Sequence, residues 1–253
     1  MIASIGSGAF LLGAGAVAAF IGTAGGITSL VSYPALLLVG LPRLDANIAN
    51  IVAVVACLPG SAIASRPELA HERSFVIRWA LIAIAGGVLG SVLLLTTPRS
   101  LFGSIVPWLI ASAALVLLLQ PWIARRTEAH RVRLRPPTLP LILFAFSVYN
   151  GYFGAGSSVM IIALLMLGRG LRITVANAIK NMLVGISSAF SALIFALTAT
   201  VHWAYVVPLA AGMLGGSLVG PMAARRVQQD VLRIGVALLG FVLAAELWLH
   251  SQL

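Results

Sequence analysis

"YNGYFGAGSS", residues 149–158, interrupts a hydrophobic run that extends from 138 to 168. One straight helix over that run would be about 46 Å long at 1.5 Å per residue, well beyond the roughly 30 Å hydrocarbon core of a bilayer. Glycine is unfavourable inside a helix and permits tight turns, so Gly151, Gly154 and Gly156 predict two shorter arms with a break between them. A similar interruption, "GTAGGITS" at 22–29, divides the run 5–39, which would otherwise measure about 52 Å. Open backbone at membrane depth must be buried in protein or line a wet cavity. These two breaks decide how the chain crosses the membrane.

The class itself follows from composition. A chain of 253 residues that is 60% hydrophobic and 9% charged, with a mean hydropathy of +1.07, has too little polar surface to coat a soluble globule. Eight hydrophobic segments fill it, at 5–39, 46–64, 75–96, 101–122, 138–168, 175–198, 202–223 and 232–250, which predicts an all-α integral membrane protein with no room for a soluble domain. The net charge of +10 comes from arginine clusters between the segments, where it suits cytoplasmic loops and anionic headgroups rather than nucleic acid. Residues 1–22 lack a basic leader, which predicts a retained N-terminus. Cys57, with apolar neighbours, predicts inert packing.

The second half echoes the first. "GLPRLDANIANIV" at 40–52 aligns with "GLRITVANAIKNM" at 170–182, pairing Gly40 with Gly170, Leu41 with Leu171, Ala46 with Ala176 and Asn47 with Asn177; "GGVLG" at 86–90 answers "GGSLV" at 215–219. This predicts two transmembrane repeats, 1–124 and 138–253, joined by a basic linker at 125–137. If each long run crossed once, the arginines would divide almost evenly between the two sides. If each run is a hairpin, Arg66, Arg73, Arg78, the linker arginines, Arg169, Arg172, Arg225, Arg226 and Arg233 share one side, and only Arg43 and Arg99 face the other. The positive-inside rule favours the second arrangement. Each repeat is then a glycine-broken hairpin plus three transmembrane helices. An odd number of crossings inverts one repeat relative to the other, and the linker lies in the cytoplasm.

Lys180 is the single lysine among 16 basic residues, and it lies inside an apolar segment. With Asn177 and Asn181 it occupies one helical face, at i, i+3 and i+4; the repeat partners Asn47 and Asn50 share another. The two faces enter from opposite sides and can flank the breaks near the repeat interface, where inverted-repeat transporters place substrate. Broken helices expose N–H groups, asparagine amides donate hydrogen bonds and one ammonium supplies charge, a set suited to an anion. The candidate substrate-binding residues are Gly25, Gly26, Thr28, Asn47, Asn50, Gly154, Gly156, Ser157, Asn177, Lys180 and Asn181, with Ser158 beside them. Competing roles for Lys180 are capping of hairpin carbonyls and snorkelling to the interface; for the asparagines, helix–helix hydrogen bonding. The small-residue runs "GGVLG" and "GMLGGSLVG" predict packing surfaces, and Trp108, Trp122, Trp203, Tyr205 and Trp248 predict interfacial anchors.

No catalytic set is visible, so an enzyme is not expected. Asp45, Glu68, Glu72, Glu128 and Asp230 fall in loops or at segment ends, and Glu246 lies near the C-terminal end, so no buried carboxylate relay is available to carry protons. His71, His130, His202 and His250 lack metal-ligand spacing, and neither a metal nor a cofactor is expected.

The duplicated pattern "GTAGGITSLVSYPALLLVGLPRLDANIANIV" and "GYFGAGSSVMIIALLMLGRGLRITVANAIKNML", followed by "VHWAYVVPLAAGMLGGSLVG", resembles the TauE/SafE sulfite exporter family over nearly the entire chain. The resemblance implies an eight-helix permease of bacterial inner-membrane type for sulfite, sulfonates and related small sulfur-containing anions. The chain departs from the triple glycine frequent in that family, reading "GTAGG" and "GAGSS". With the cell interior negative, each anionic charge moving outward gains about 2.3 kcal/mol per 100 mV. Export therefore needs no coupling ion and is the expected direction; uptake of a similar anion is the alternative, and a non-transporting scaffold a weaker one.

Overall fold

Helix is the regular structure of the described residues of the computed structural model, which cover 5–129, 138–223 and 230–249; no strand occurs among them. The first half contains α1 (Ile5–Gly25), α2 (Thr28–Leu38), α3 (Arg43–Val54), α4 (Cys57–Ala64), the short α5 (Arg66–Leu69), α6 (Arg73–Thr96) and α7 (Arg99–Ala129). The second contains α8 (Thr138–Tyr152), α9 (Ser157–Arg169), α10 (Ile173–Thr198), α11 (Trp203–Ala223) and α12 (Asp230–Leu249). Six spans are long and apolar enough to cross a membrane: Gly6–Gly25, Arg43–Ala64, Arg73–Thr96, Arg99–Leu119, Ile173–Thr198 and Trp203–Met222. This is an all-α, multi-pass membrane protein. Of the expected linker at 125–137, the start continues α7 as far as Ala129 and the rest lies outside the described residues.

Both long runs are broken where glycine predicts it. In the first, the Gly26 N–H closes on the Gly22 carbonyl at 2.6 Å and Gly26 then turns through φ +86°, a conformation open to glycine but strained for residues with a Cβ. In the second, Gly154 and Gly156 take φ +82° and +81°. The aligned Gly40 and Gly170 are also left-handed, at +89° and +64°, and end the short arms α2 and α9. One interruption was not expected: the segment 46–64 bends at Val55–Ala56, between α3 and α4. Pro59 explains it, since its ring cannot donate a hydrogen bond to the carbonyl four residues back and clashes with it. The corresponding α10 runs unbroken.

The helices pair across the halves. α1 runs along α11, and α8 runs along α6; α4 packs on α11, and α10 on α6. Glycine permits these close approaches. A Cβ on Gly212 would lie 2.0 Å from the Leu12 carbonyl oxygen, and one on Gly90 2.0 Å from that of Val148, so both expected small-residue runs are packing surfaces. The polarity gradient is that of a membrane protein: Leu197 and Leu81 are 76% and 71% exposed, whereas Asn47, Asn50 and Lys180 are buried.

Candidate functional site

Where the two breaks meet they enclose a small cavity of about 20 Å³, room for roughly one water. The first break contributes Gly26, Thr28 and Ser29, and the second contributes Gly154, Gly156 and Ser158. Asn150 of α8 and Ser188 of α10 complete the polar wall, and Ile51, Val54 and Val184 the apolar one. The two breaks touch. A Cβ on Gly26 would come within 3.2 Å of that of Ser158, so the left-handed glycine sets how closely the arms approach. The helices α2 and α9 both begin beside the cavity, and neither N-terminus is capped by a side-chain hydrogen bond. The positive ends of two helix dipoles therefore converge on one space, and no carboxylate lines it.

The stretch 149–158 satisfies much of its own open backbone. The Tyr149 hydroxyl donates to the Ala155 carbonyl at 2.8 Å, and Ser157 Oγ lies 2.7 Å from the Gly154 carbonyl and 2.8 Å from Asn150 Oδ1. The Asn150 amide in turn donates to Ser188 Oγ at 3.2 Å, tying the second break to α10.

Behind the cavity, the buried polar faces of α3 and α10 meet the ends of the long arms reciprocally. Asn47 Nδ2 donates to the Tyr152 carbonyl at 2.8 Å, at the end of α8, while Asn177, aligned with it in sequence, donates to the Thr23 carbonyl at 2.7 Å, near the end of α1. Asn181 adds a second bond to Thr23, at 3.0 Å. Lys180 Nζ lies 2.6 Å from Asn181 Oδ1 and 3.3 Å from the Gly22 carbonyl. Each face thus supplies donors to carbonyls at the end of the opposite long arm, where the helix ladder stops. Lys180 is 2% exposed and turns towards those carbonyls, so it does not snorkel. Asn50 differs, lying 2.5 Å from Ser32 Oγ of α2. Asn47 Oδ1, Asn177 Oδ1 and Asn50 Nδ2 are buried without a hydrogen-bond partner. Unused polar capacity therefore remains in this layer.

A family model described as sulfite exporter TauE/SafE matches residues 9–247. The chain belongs to the TauE/SafE family. It is 27% identical to a probable membrane transporter protein of Haemophilus influenzae over 252 residues, covering 96% of both chains. It is likewise 27% identical to the probable membrane transporter protein ORF9 of a Sinorhizobium species over 241 residues, covering 94% of this chain and 91% of the relative. No solved structure matches it. This TauE/SafE protein is a membrane transporter and not an enzyme.

Within the TauE/SafE chain the sequence-derived candidates separate into two layers. Gly26, Thr28, Gly154 and Gly156 line the cavity; Asn47, Asn50, Asn177, Lys180 and Asn181 stand behind it; Ser157 braces the second break, and Gly25 ends α1. Ser29, Asn150 and Ser188 were missed. Asn150 lies within the glycine-rich stretch itself, and Ser188 continues the face of Lys180 at i+8, so both carried a legible signal. Among the expected anchors, Trp203 and Trp248 are exposed near helix ends, and Trp108 is exposed within α7. Tyr205 is buried against His202 and is no surface anchor; the side chain of Trp122 lies outside the described residues.

Proposed function

We propose that this transporter exports small sulfur-containing anions such as sulfite or organosulfonates, by alternating access around the cavity between the two breaks. The observation that carries this reading is the convergence of two uncapped helix N-termini on one cavity without a carboxylate. Such a site favours negative charge, and an oxyanion has acceptors for the hydroxyls of Thr28, Ser29 and Ser158 on its lining. The cavity is water-sized, so passage requires its walls to part. Lys180, buried near the C-terminal end of α1, adds positive charge from the layer behind, and the asparagines hold the break carbonyls away from the anion.

Inverted hairpin repeats, 1–124 and 138–253 around a cytoplasmic linker, are the proposed framework, in a bacterial inner membrane. Two ion-pair clusters support it. Arg169 lies 2.7 Å from Glu72, while Asp45 contacts Arg99 at 3.1 Å and His202 at 3.7 Å. In a topology where each long run crosses once, Glu72 and Arg169 would face opposite sides of the membrane, as would Asp45 and His202. With hairpins each cluster lies on one side. The reciprocal pairing of α1 with α11 and α8 with α6 is what a two-fold relation between repeats requires.

The test is efflux of sulfite and of a small sulfonate from proteoliposomes under a clamped potential, for the native protein and Lys180→Gln. Saturable native efflux that accelerates when the interior is made negative, and that falls at least about tenfold in the variant while the protein stays folded, is the expected result. Unchanged efflux in the variant would confine Lys180 to bracing the α1 carbonyls. Absence of flux for both anions, in either direction, would overturn the substrate assignment.

A further inference from the structure

A groove of about 380 Å³ that shares no lining residue with the cavity lies between α5, the start of α6 and α10. Leu69, Val76, Ile77 and Met182 form its apolar wall, and Arg66 and Arg73 stand on its lining at opposite sides of the turn that joins α5 to α6. Both arginines are exposed, and neither belongs to the ion pairs that join Glu72 to Arg169 or Asp45 to Arg99. Of the acids beside them, Glu72 is held by Arg169, whose guanidinium also lies 4.1 Å from the centre of the Phe75 ring, and Glu68, between the two arginines in sequence, has an interaction of its own and is not on the groove's lining.

We propose that this groove binds an anionic phospholipid. Two guanidinium groups at the end of a membrane-spanning helix sit at headgroup level, where each can form paired hydrogen bonds to a phosphate diester. The apolar wall descends from them along α6, the direction in which an acyl chain runs. Charge complementarity decides the class of lipid. A second groove of similar size, about 370 Å³, lined by Pro107, Trp108, Phe241 and Trp248, has no ionisable residue on its lining and gives an acyl chain nothing by which to select a headgroup. The Arg66–Arg73 groove combines both requirements.

The probe is phosphatidylglycerol against phosphatidylcholine, added in equal amounts to the purified full-length protein in neutral detergent, with retained lipid counted by native mass spectrometry. Native protein should retain phosphatidylglycerol preferentially. The double variant Arg66→Gln/Arg73→Gln should lose that preference by about tenfold or more, and Arg78→Gln, which removes an exposed α6 arginine outside the groove, should keep it. If the double variant is not monodisperse, each single variant carries the same comparison with a loss of about threefold. Equal retention of the two lipids by native protein, or undiminished preference in the groove variants, would overturn the proposal. So would displacement of the lipid by glycerophosphate at equimolar concentration, since a headgroup alone would then suffice.

Discussion

The two breaks solve the same problem with different chemistry. At the first, a single left-handed residue, Gly26, turns the chain, and the carbonyls at the end of α1 receive three donors from α10: Asn177, Asn181 and Lys180. At the second, two left-handed glycines make the turn, Asn47 supplies the bond from α3, and most of the remaining polar contacts are internal to 149–158. Lys180 and Asn50 occupy equivalent positions in the aligned halves, yet one reaches the opposite break and the other bonds Ser32 in its own half. The two aligned halves share the break and the asparagine donor; the lysine occurs in one half alone. A proposed anion site needs net positive character only once, whereas both breaks need their carbonyls satisfied.

That contrast can be broken most severely at the glycines. Gly156→Ala puts a Cβ 2.8 Å from that of Ala113 in α7, at a φ of +81°, and should destabilise the protein by about 3 kcal/mol from backbone strain and overpacking together. Gly26→Ala, whose nearest neighbour is Ser158 Cβ at 3.2 Å, should cost about half as much. Unfolding in mixed micelles measures both, and the reverse order would mean that the first break is the tighter of the two.

The donors give a smaller and sharper difference. Asn47 is the side-chain donor to the Tyr152 carbonyl, so Asn47→Ala should cost about 1–3 kcal/mol by leaving that acceptor unpaired. Asn177→Ala should cost about 1 kcal/mol or less, because Asn181 remains on the Thr23 carbonyl. Equal losses in the same unfolding measurement would show that the shared acceptor gives no redundancy. Smallest is Arg169→Gln: the pair with Glu72 is partly open to solvent, and its loss should change stability by under about 1 kcal/mol, an effect that shrinks further as salt is raised during the titration.

Composition, hydropathy and the two glycine-rich stretches were enough to read a helical membrane protein with broken segments, because a bilayer leaves a chain few ways to satisfy its backbone. The likeness of the two halves was legible through Gly40 and Gly170, whose left-handed caps tolerate few other residues, and through Asn47 and Asn177, which each donate to the end of the other half's long arm. Helical spacing also placed Asn177, Lys180 and Asn181 on one face. It could not say what that face meets. Their partners, the carbonyls of Gly22 and Thr23, lie more than 150 positions away in the chain and belong to backbone, which carries no sequence signature. The cavity likewise joins Gly26 and Ser29 to Asn150 and Ser188 only after the halves dock, and the burial of Tyr205 depends on the same docking. Local chemistry dictates where a helix must stop; which unpaired groups then face one another is set by packing between elements remote in sequence.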